Sequence, residues 1–446
     1  MTGVEIGAIA LAVMLLLILI GLPIATAMLL VSFVAVSFIR NEAVSMRMIG
    51  SVANDSLREY LFAVVPLFVL MGMLVTISGL GKDTFALFER ILRRIKAGLG
   101  IATVGANAVF ASITGISIAS ASVFSRIAVP EMVRHGYTKR FATGVVAGSS
   151  VLGMLLPPSL LMIVYAVLAE ESVGRMFLAG VGPGILLSLM FAVTILIMAK
   201  WRSNLVFEES KGGDAEVARL KAERESEPPM AMLLLRGVPI VVLIVVVLGG
   251  IYGGFLNPTE AGAAGALGAL VIAVMRRSLN ARTFWGLLVE TGQITVSVLF
   301  LIMAASFFSR MLAMSGLPAW MAQLLLGDFI GPYGFLFLFL LLVILLGLFI
   351  DSISIMLILL PIAIPIAKAA GFDMIWFGVL TVVAVEIGLL TPPFGLSVYT
   401  IKTALADRTL PVGDIFRGAL PFVFTMVVSL FVLAAFPQIS VWLARL

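Results

Sequence analysis

The chain repeats itself at a fixed offset of 235 residues. Gly153-Met-Leu-Leu-Pro157-Pro158 returns as Gly388-Leu-Leu-Thr-Pro392-Pro393. At the same offset Pro23 meets Pro258, Ser117 meets Ser352, Pro130 meets Pro365 and Gly136 meets Gly371. With a further shift of two or three residues, Ser78-Gly79-Leu80 finds Ser315-Gly316-Leu317, and Gly180-Val-Gly-Pro183 finds Gly418-Ala-Leu-Pro421. Two copies of one unit make the molecule. Paired halves whose apolar segments are interrupted by Pro and Gly at corresponding places point to a secondary transporter with its site at the interruptions.

The solvent of this chain is lipid. Hydrophobic residues make up 61% and charged residues 12%, with a mean hydropathy of +1.18, against about a quarter charged in soluble proteins. Apolar runs of about 17 to 25 residues cross a roughly 30 Å hydrocarbon layer as helices. Ten candidates stand near 4–20, 24–39, 61–80, 141–169, 174–199, 233–252, 257–275, 284–312, 376–404 and 415–436. The first carries Glu5 where a secretory leader would be basic, and no small-residue cleavage site follows, so it reads as a retained helix.

Several chemistries are excluded. There is no cysteine, which removes disulfides and thiolate catalysis. The single histidine, His135, sits in a polar stretch and suits a solvated or structural role. Gly79-Leu-Gly81-Lys82 lacks the earlier glycine that lets backbone amides cradle phosphate, so the chain should not hydrolyse ATP by itself. No nucleophile and base pair is visible, which argues against an enzyme, and no repeated ring of selectivity residues is present, which argues against a channel. No nucleic-acid partner is expected.

Two further apolar stretches, 98–130 and 333–366, occupy corresponding places in the two halves, and both are broken in the middle. The first breaks at Ser112-Ile-Thr114-Gly115-Ile-Ser117-Ile-Ala-Ser120 and the second at Gly347-Leu-Phe-Ile-Asp351-Ser352-Ile-Ser354. A non-helical tip at membrane depth is tolerated only if it is buried in protein or lines a cavity. Each stretch therefore reads as a re-entrant helical hairpin; the alternative is a pair of ordinary spanning helices rich in Ser and Gly. Proline removes a helical donor and clashes with the carbonyl one turn back. The Pro-Pro pairs after Gly153 and Gly388 should thus unwind their segments and free carbonyl oxygens. Tips and breaks together offer neutral oxygens in duplicate, which suits a hard cation, and two or more Na⁺ are expected.

If each hairpin makes no net crossing, the first half crosses five times and the second half starts inverted. Lys82, Arg90, Arg93, Arg94, Lys96, Arg134, Lys139, Arg140, the seven basic residues from Lys200 to Arg236, Arg276, Arg277, Arg282, Arg408 and Arg417 then share one side. Arg40, Arg47, Arg58, Arg175, Lys368 and Arg445 take the other. The richer side is cytoplasmic by the positive-inside rule. Residues 85–96 suit a helix lying on the inner surface. The expected organisation is a first inverted repeat over 1–199, with hairpin 98–130 and broken helix 141–169. A charged cytoplasmic linker over 200–232 follows, and then a second repeat over 233–446, with hairpin 333–366 and broken helix 376–404.

Ionisable residues at membrane depth are costly and each needs an account. Asp351, in the second tip, is the leading candidate for a functional group, with a structural pairing as the alternative. Arg126 lies near enough to Pro130 to snorkel to the surface. Glu290, Arg310, Glu386 and Lys402 cannot be assigned from the sequence.

Thr114-Gly115-Ile-Ser117, Arg126-Ile-Ala-Val-Pro130-Glu131-Met132, Gly153-Met-Leu-Leu-Pro157-Pro158-Ser159 and Thr391-Pro392-Pro393-Phe-Gly395 together resemble the large membrane subunit of tripartite ATP-independent periplasmic (TRAP) transporters. The resemblance covers essentially the whole chain. It implies an all-α polytopic membrane protein of elevator type in the bacterial inner membrane, driven by Na⁺. It also implies two partners, a small four-helix membrane subunit and a periplasmic solute-binding protein. Its substrates would be organic acids such as C4-dicarboxylates or sialic acid. Carried over by motif, one sodium site falls among Thr114, Gly115, Ser117, Gly153, Leu156 and Pro158. The other falls among Gly347, Asp351, Ser352, Gly388, Thr391 and Pro393, and substrate contacts fall at Ser117, Ser159 and Asp351. Ile116 departs from the pattern, where a small polar residue is expected, which removes a hydroxyl from that tip. A single-subunit sodium/dicarboxylate carrier of related architecture is the rival reading.

Overall fold

The computed structural model describes residues 1–208, 229–327, 330–407 and 409–445. Most of the expected linker and Arg408 lie outside the described residues. All regular structure in the described chain is helical apart from one isolated bridge, between Tyr137 and Phe207. Helix starts follow their caps. Thr2 and Glu5 form a capping box at Gly3–Leu19, and Asn257 and Glu260 form another at Pro258–Met275. Glu5 thus satisfies a first-turn donor, a contribution of about 1 kcal/mol.

Among the described residues seven helices are long and apolar enough to cross a bilayer. Six coincide with expected spans: Lys139–Ala169, Val173–Trp201, Met230–Tyr252, Pro258–Met275, Ala281–Ser315 and Val412–Ala435. The seventh, Ser352–Ala369, is an arm of the second hairpin. Gly3–Leu19, Ile24–Ile39 and Met374–Leu390 are apolar but shorter, at 17, 16 and 17 residues. The span expected over 61–80 ends at Ile77, where Gly79 at φ 76° turns the chain by 64° into the amphipathic helix Leu80–Leu92.

Element order recurs in the two halves. A hairpin of Gly98–Thr114 and Ser117–Arg134 precedes the interrupted helix Lys139–Ser150, Leu152–Leu155, Leu160–Ala169. A hairpin of Gly331–Gly347 and Ser352–Ala369 precedes the interrupted pair Met374–Leu390 and Leu396–Leu405. Both breaks contain a cis Pro-Pro bond, 157–158 and 392–393. The first hairpin runs four residues past its expected end at 130, because one internal proline, Pro130, does not stop a packed helix.

The helices sort into two groups by packing. Gly3–Leu19, Ile24–Ile39 and Val64–Ile77 pack along Ala281–Ser315, and Pro258–Met275 packs on Val64–Ile77, with exposed Leu16, Leu19, Phe38 and Val271 on their outer faces. The hairpins, interrupted helices and Val412–Ala435 form the other group, whose core includes the fully buried Phe110, Phe124, Phe141, Phe377 and Phe422. The second group closes tightly. Gly144 of the first interrupted helix touches Gly418, where a Cβ would lie 2.1 Å from the Gly418 carbonyl oxygen.

Candidate functional site

The first junction is the meeting of the first hairpin tip with the first break. Gly115 ends the first arm in the left-handed region at φ 65°, its N–H bonded to the Ala111 carbonyl at 3.0 Å. A side chain there would be strained, and its Cβ would lie 2.5 Å from the Pro158 carbonyl oxygen. The Gly115 carbonyl accepts from Leu160 N–H at 3.2 Å, so the tip is bonded to the chain just past the break. Ile116 then runs extended and opens the second arm without a side-chain cap, which leaves amide donors at the Ser117 end. Gly153 packs on this turn, where a Cβ would lie 3.1 Å from both the Ile116 oxygen and Ser117 N.

Pro157 and Pro158 carry no N–H, so the carbonyls of Gly153 and Met154 lose their helical donors. The Ser159 hydroxyl donates to the Met154 oxygen at 2.5 Å and accepts from Met162 N–H at 3.3 Å, capping the next helix. Leu156 is extended, at φ −79° and ψ 135°. Thr114 donates its hydroxyl to the Phe110 oxygen at 3.2 Å, and its carbonyl faces Gly72, where a Cβ would stand 2.8 Å away. Residues 151–160 are all buried. The structure therefore brings Thr114, Gly115, Ser117, Gly153, Pro158 and Ser159 together.

At the second junction Gly347 lies against Gly388, where a Cβ on Gly388 would be 2.6 Å from the Gly347 Cα and 2.7 Å from the Ile344 oxygen. Thr391 N–H donates to the Gly388 carbonyl at 3.0 Å and its hydroxyl to the Ile387 carbonyl at 2.7 Å. Asp351 is exposed and caps the second arm: its carboxylate accepts from Ser354 N–H at 3.1 Å and Ser354 Oγ at 2.5 Å. Ser352 beside it is buried. Pro392, Pro393 and Phe394 are exposed, and Phe349 of the tip meets Phe394 edge to face at 6.0 Å between ring centres. Gly347 and Gly388 are thus joined as expected. Among the described residues no hydrogen bond links Asp351 or Ser352 to Thr391 or Pro393.

Three polar features were left unassigned by the sequence. Asn107, fully buried mid-arm, donates to Ser149 Oγ at 2.9 Å and accepts from Ser120 Oγ at 2.6 Å, tying both arms of the first hairpin to the first interrupted helix. A buried side-chain network of this kind has no sequence signature beyond an isolated Asn. Glu386 is 1% exposed, and neither carboxyl oxygen has a hydrogen-bond partner among the described residues. Helix Glu42–Arg58 supplies Asp55, which pairs with Arg310 at 2.9 Å; that guanidinium holds the exposed carboxyl below the usual carboxylate range. Lys402 donates to the carbonyls of Asp407 and Leu410 at 2.5 and 2.6 Å, while Arg126 and Glu290 are exposed.

The sequence matches the family described as "Tripartite ATP-independent periplasmic transporter, DctM component" over residues 11–439. It is 32% identical over 398 residues to the C4-dicarboxylate TRAP transporter large permease protein DctM of Pseudomonas aeruginosa, an alignment covering 89% of each chain. It is 30% identical over 383 residues to the ectoine TRAP transporter large permease protein TeaC of Halomonas elongata, covering 86% of each. Among solved structures, the YdaH transporter of Alcanivorax borkumensis has a similar fold, with a TM-score of 0.62 at 13% identity over 90% of this chain and 89% of that one.

Proposed function

The chain belongs to the DctM family of tripartite ATP-independent periplasmic transporters, and from that premise we propose that it carries an organic acid across the bacterial inner membrane in symport with Na⁺. The observation that carries this reading is the pair of tip-and-break junctions. In one, Gly153 lies against the Ile116 carbonyl and Ser117 amide; in the other, Gly347 lies against Gly388. At the first junction the Gly153 carbonyl and at the second the Leu389 carbonyl lose their helical donors to proline, and such oxygens can replace the hydration shell of a small hard cation. One Na⁺ at each junction is the minimum this arrangement suggests. The uncapped N-terminal end at Ser117 carries partial positive charge, which suits a substrate carboxylate. Ser159 spends its hydroxyl on its own backbone, so its part in substrate contact is through position. Asp351, an exposed helix cap, orders the second tip.

The hairpins, interrupted helices and last long helix form the mobile unit in this reading. The outer group, completed by a small four-helix membrane subunit, holds still, and a periplasmic binding protein delivers the acid. The test is uptake of a labelled C4-dicarboxylate into liposomes holding this chain, the small subunit and the binding protein. Uptake should require a Na⁺ gradient. Equal uptake on a proton gradient without Na⁺ overturns the coupling, and uptake without any binding protein favours the single-subunit carrier.

A further inference from the structure

The helix Leu80–Leu92 leaves the span Val64–Ile77 at 64°, so it runs closer to the membrane plane than to the direction of that span. Its first turns are covered by protein. Leu80, Thr84 and Phe85 are buried, a Cβ on Gly105 of the first hairpin would meet the Phe88 ring at 2.6 Å, and one on Gly237 would lie 3.2 Å from Leu87. The same apolar stripe then outruns its cover. One and two turns beyond Leu87 it continues at Ile91 and Ile95, which are 53% and 43% exposed. There the chain doubles back in a turn fixed by main-chain bonds. Ile95 N–H donates to the Leu92 carbonyl at 3.0 Å, Gly98 N–H donates to the Ile95 carbonyl at 2.9 Å, and Ala97 takes φ 58° to open the first hairpin.

Charge sorts in the same direction. Both acids of this helix are spent on protein: Asp83 pairs with Arg276, and the Glu89 carboxylate lies within 4.8 Å of ligand atoms of Glu131 and His135. Arg94 and Lys96 flank Ile95 on the turn, both are exposed, and neither has an ion pair or hydrogen bond among the described residues. Exposed isoleucines favour oil, and unpaired cations favour anions or water. The boundary between acyl chains and phosphates serves both. Trp201 and Trp285, 73% and 68% exposed at the ends of spans that meet the same basic side, mark that boundary. We propose that Ile91, Arg94, Ile95 and Lys96 form a binding surface for anionic phospholipid of the inner leaflet, with the isoleucines at the acyl boundary and the two cations on lipid phosphates. A zwitterionic headgroup brings its own ammonium to the same place and is held less well. The surface goes beyond the proposed function and rests on it only for one consequence: it pins to the membrane the turn that joins a still span to the moving hairpin.

The test places a bimane fluorophore on Ile95→Cys, a unique thiol because the chain has no cysteine, in the full chain with its small subunit. Bimane is apolar and keeps the oily contact. Phosphatidylcholine liposomes carry either doxyl-labelled phosphatidylglycerol or doxyl-labelled phosphatidylcholine as quencher. Phosphatidylglycerol should quench better, and its advantage should shrink about fivefold for each charge removed in Arg94→Gln and Lys96→Gln. Molar salt, where the screening length falls to about 3 Å, should shrink it in the unsubstituted turn as well, so the test still decides if a variant fails to fold. Equal quenching by the two lipids overturns the proposal, as does an advantage that salt leaves unchanged, or bimane emission like that of the free dye in water. Acid uptake by the same liposomes tests the other reading separately. If no acid is carried in either lipid, the transport reading falls, while quenching still decides for or against the lipid surface.

Discussion

The two breaks share a Gly-x-Leu-x-Pro-Pro pattern but not an environment. Residues 151–160 are buried to the last one, whereas Pro392, Pro393 and Phe394 stand at the surface, Phe394 being 54% exposed. Polar side chains differ in the same direction. Around the first junction Ser117, Ser120, Ser149 and Ser159 are all enclosed; at the second, Ser352 and Ser354 are buried while Asp351 and Thr391 lie at or near the surface. A repeated motif therefore fixes the backbone device, a helix opened by two prolines, while its surroundings decide which copy solvent can reach. The inequality between the two copies is built from the residues around matching Pro-Pro breaks.

The sharpest way to break the comparison is at the glycines. Gly153→Leu and Gly388→Leu should each abolish uptake, since both close-packed turns lose the space they need. Alanine separates them. A Cβ at Gly388 meets the Gly347 Cα at 2.6 Å, backbone that cannot step aside, whereas at Gly153 the nearest atoms are at 3.1 Å. Gly388→Ala should therefore cost about 1–3 kcal/mol in thermal stability and Gly153→Ala less; the reverse order in melting would refute the packing described.

Exposure gives the next contrast, and the absence of native cysteine makes it clean to measure. Phe394→Cys should react with a water-soluble thiol reagent many times faster than Ser159→Cys. Equal rates would mean that the first break is as open as the second. Distance from the same Ser159→Cys to a reporter in Val64–Ile77 should change as transport proceeds, and a fixed distance would favour local gating over an elevator.

Asn107 sharpens the comparison at smaller scale. Asn107→Ala leaves Ser120 and Ser149 without their buried partner, a loss of about 1–3 kcal/mol to be read in the melting of the purified chain. No effect would show that the bracing of the first hairpin is redundant. The smallest effect concerns Lys139 and Asp407, which are 2.7 Å apart and tie the start of the first interrupted helix to the loop after the second. Lys139, and then the Thr409 hydroxyl, hold the Asp407 carboxyl well below the usual range. A depressed carboxyl stabilises the folded chain above its unfolded value near pH 3.9 and loses that contribution as pH falls toward its folded value. Asp407→Asn should thus soften the chain slightly at neutral pH and low salt, and its difference from the parent should vanish in strong acid.

Legibility in the sequence tracked repetition and periodicity. The hairpins, the breaks and most spans were readable because apolar length, Gly-Pro interruptions and the 235-residue offset are local patterns. The bend after Ile77 was not, since Ser78-Gly79 sits inside an apolar run and only the left-handed turn at Gly79 reveals it. Of the junction residues, Gly115, Gly153, Gly347 and Gly388 were singled out from the repeat, the broken tips and the resemblance, and the structure shows each in close backbone contact. Asp351 was weighed as a functional group because charge at membrane depth is conspicuous, but exposure and Ser354 make it a helix cap. Asn107 went unassigned for the opposite reason: its meaning lies in a partner 42 residues away in sequence.

One main-chain bond decides how the twin hairpins can part from their neighbours. Leu160 N–H reaches the Gly115 carbonyl at 3.2 Å, so withdrawing the first tip would strand a donor and an acceptor in apolar surroundings. The second tip rests on Gly388 and Phe394 through van der Waals and ring contact, and pulling it away breaks no main-chain bond among the described residues. Of two doors cut to one pattern, the first is bolted to its frame and the second merely leans on it, so the second can swing first.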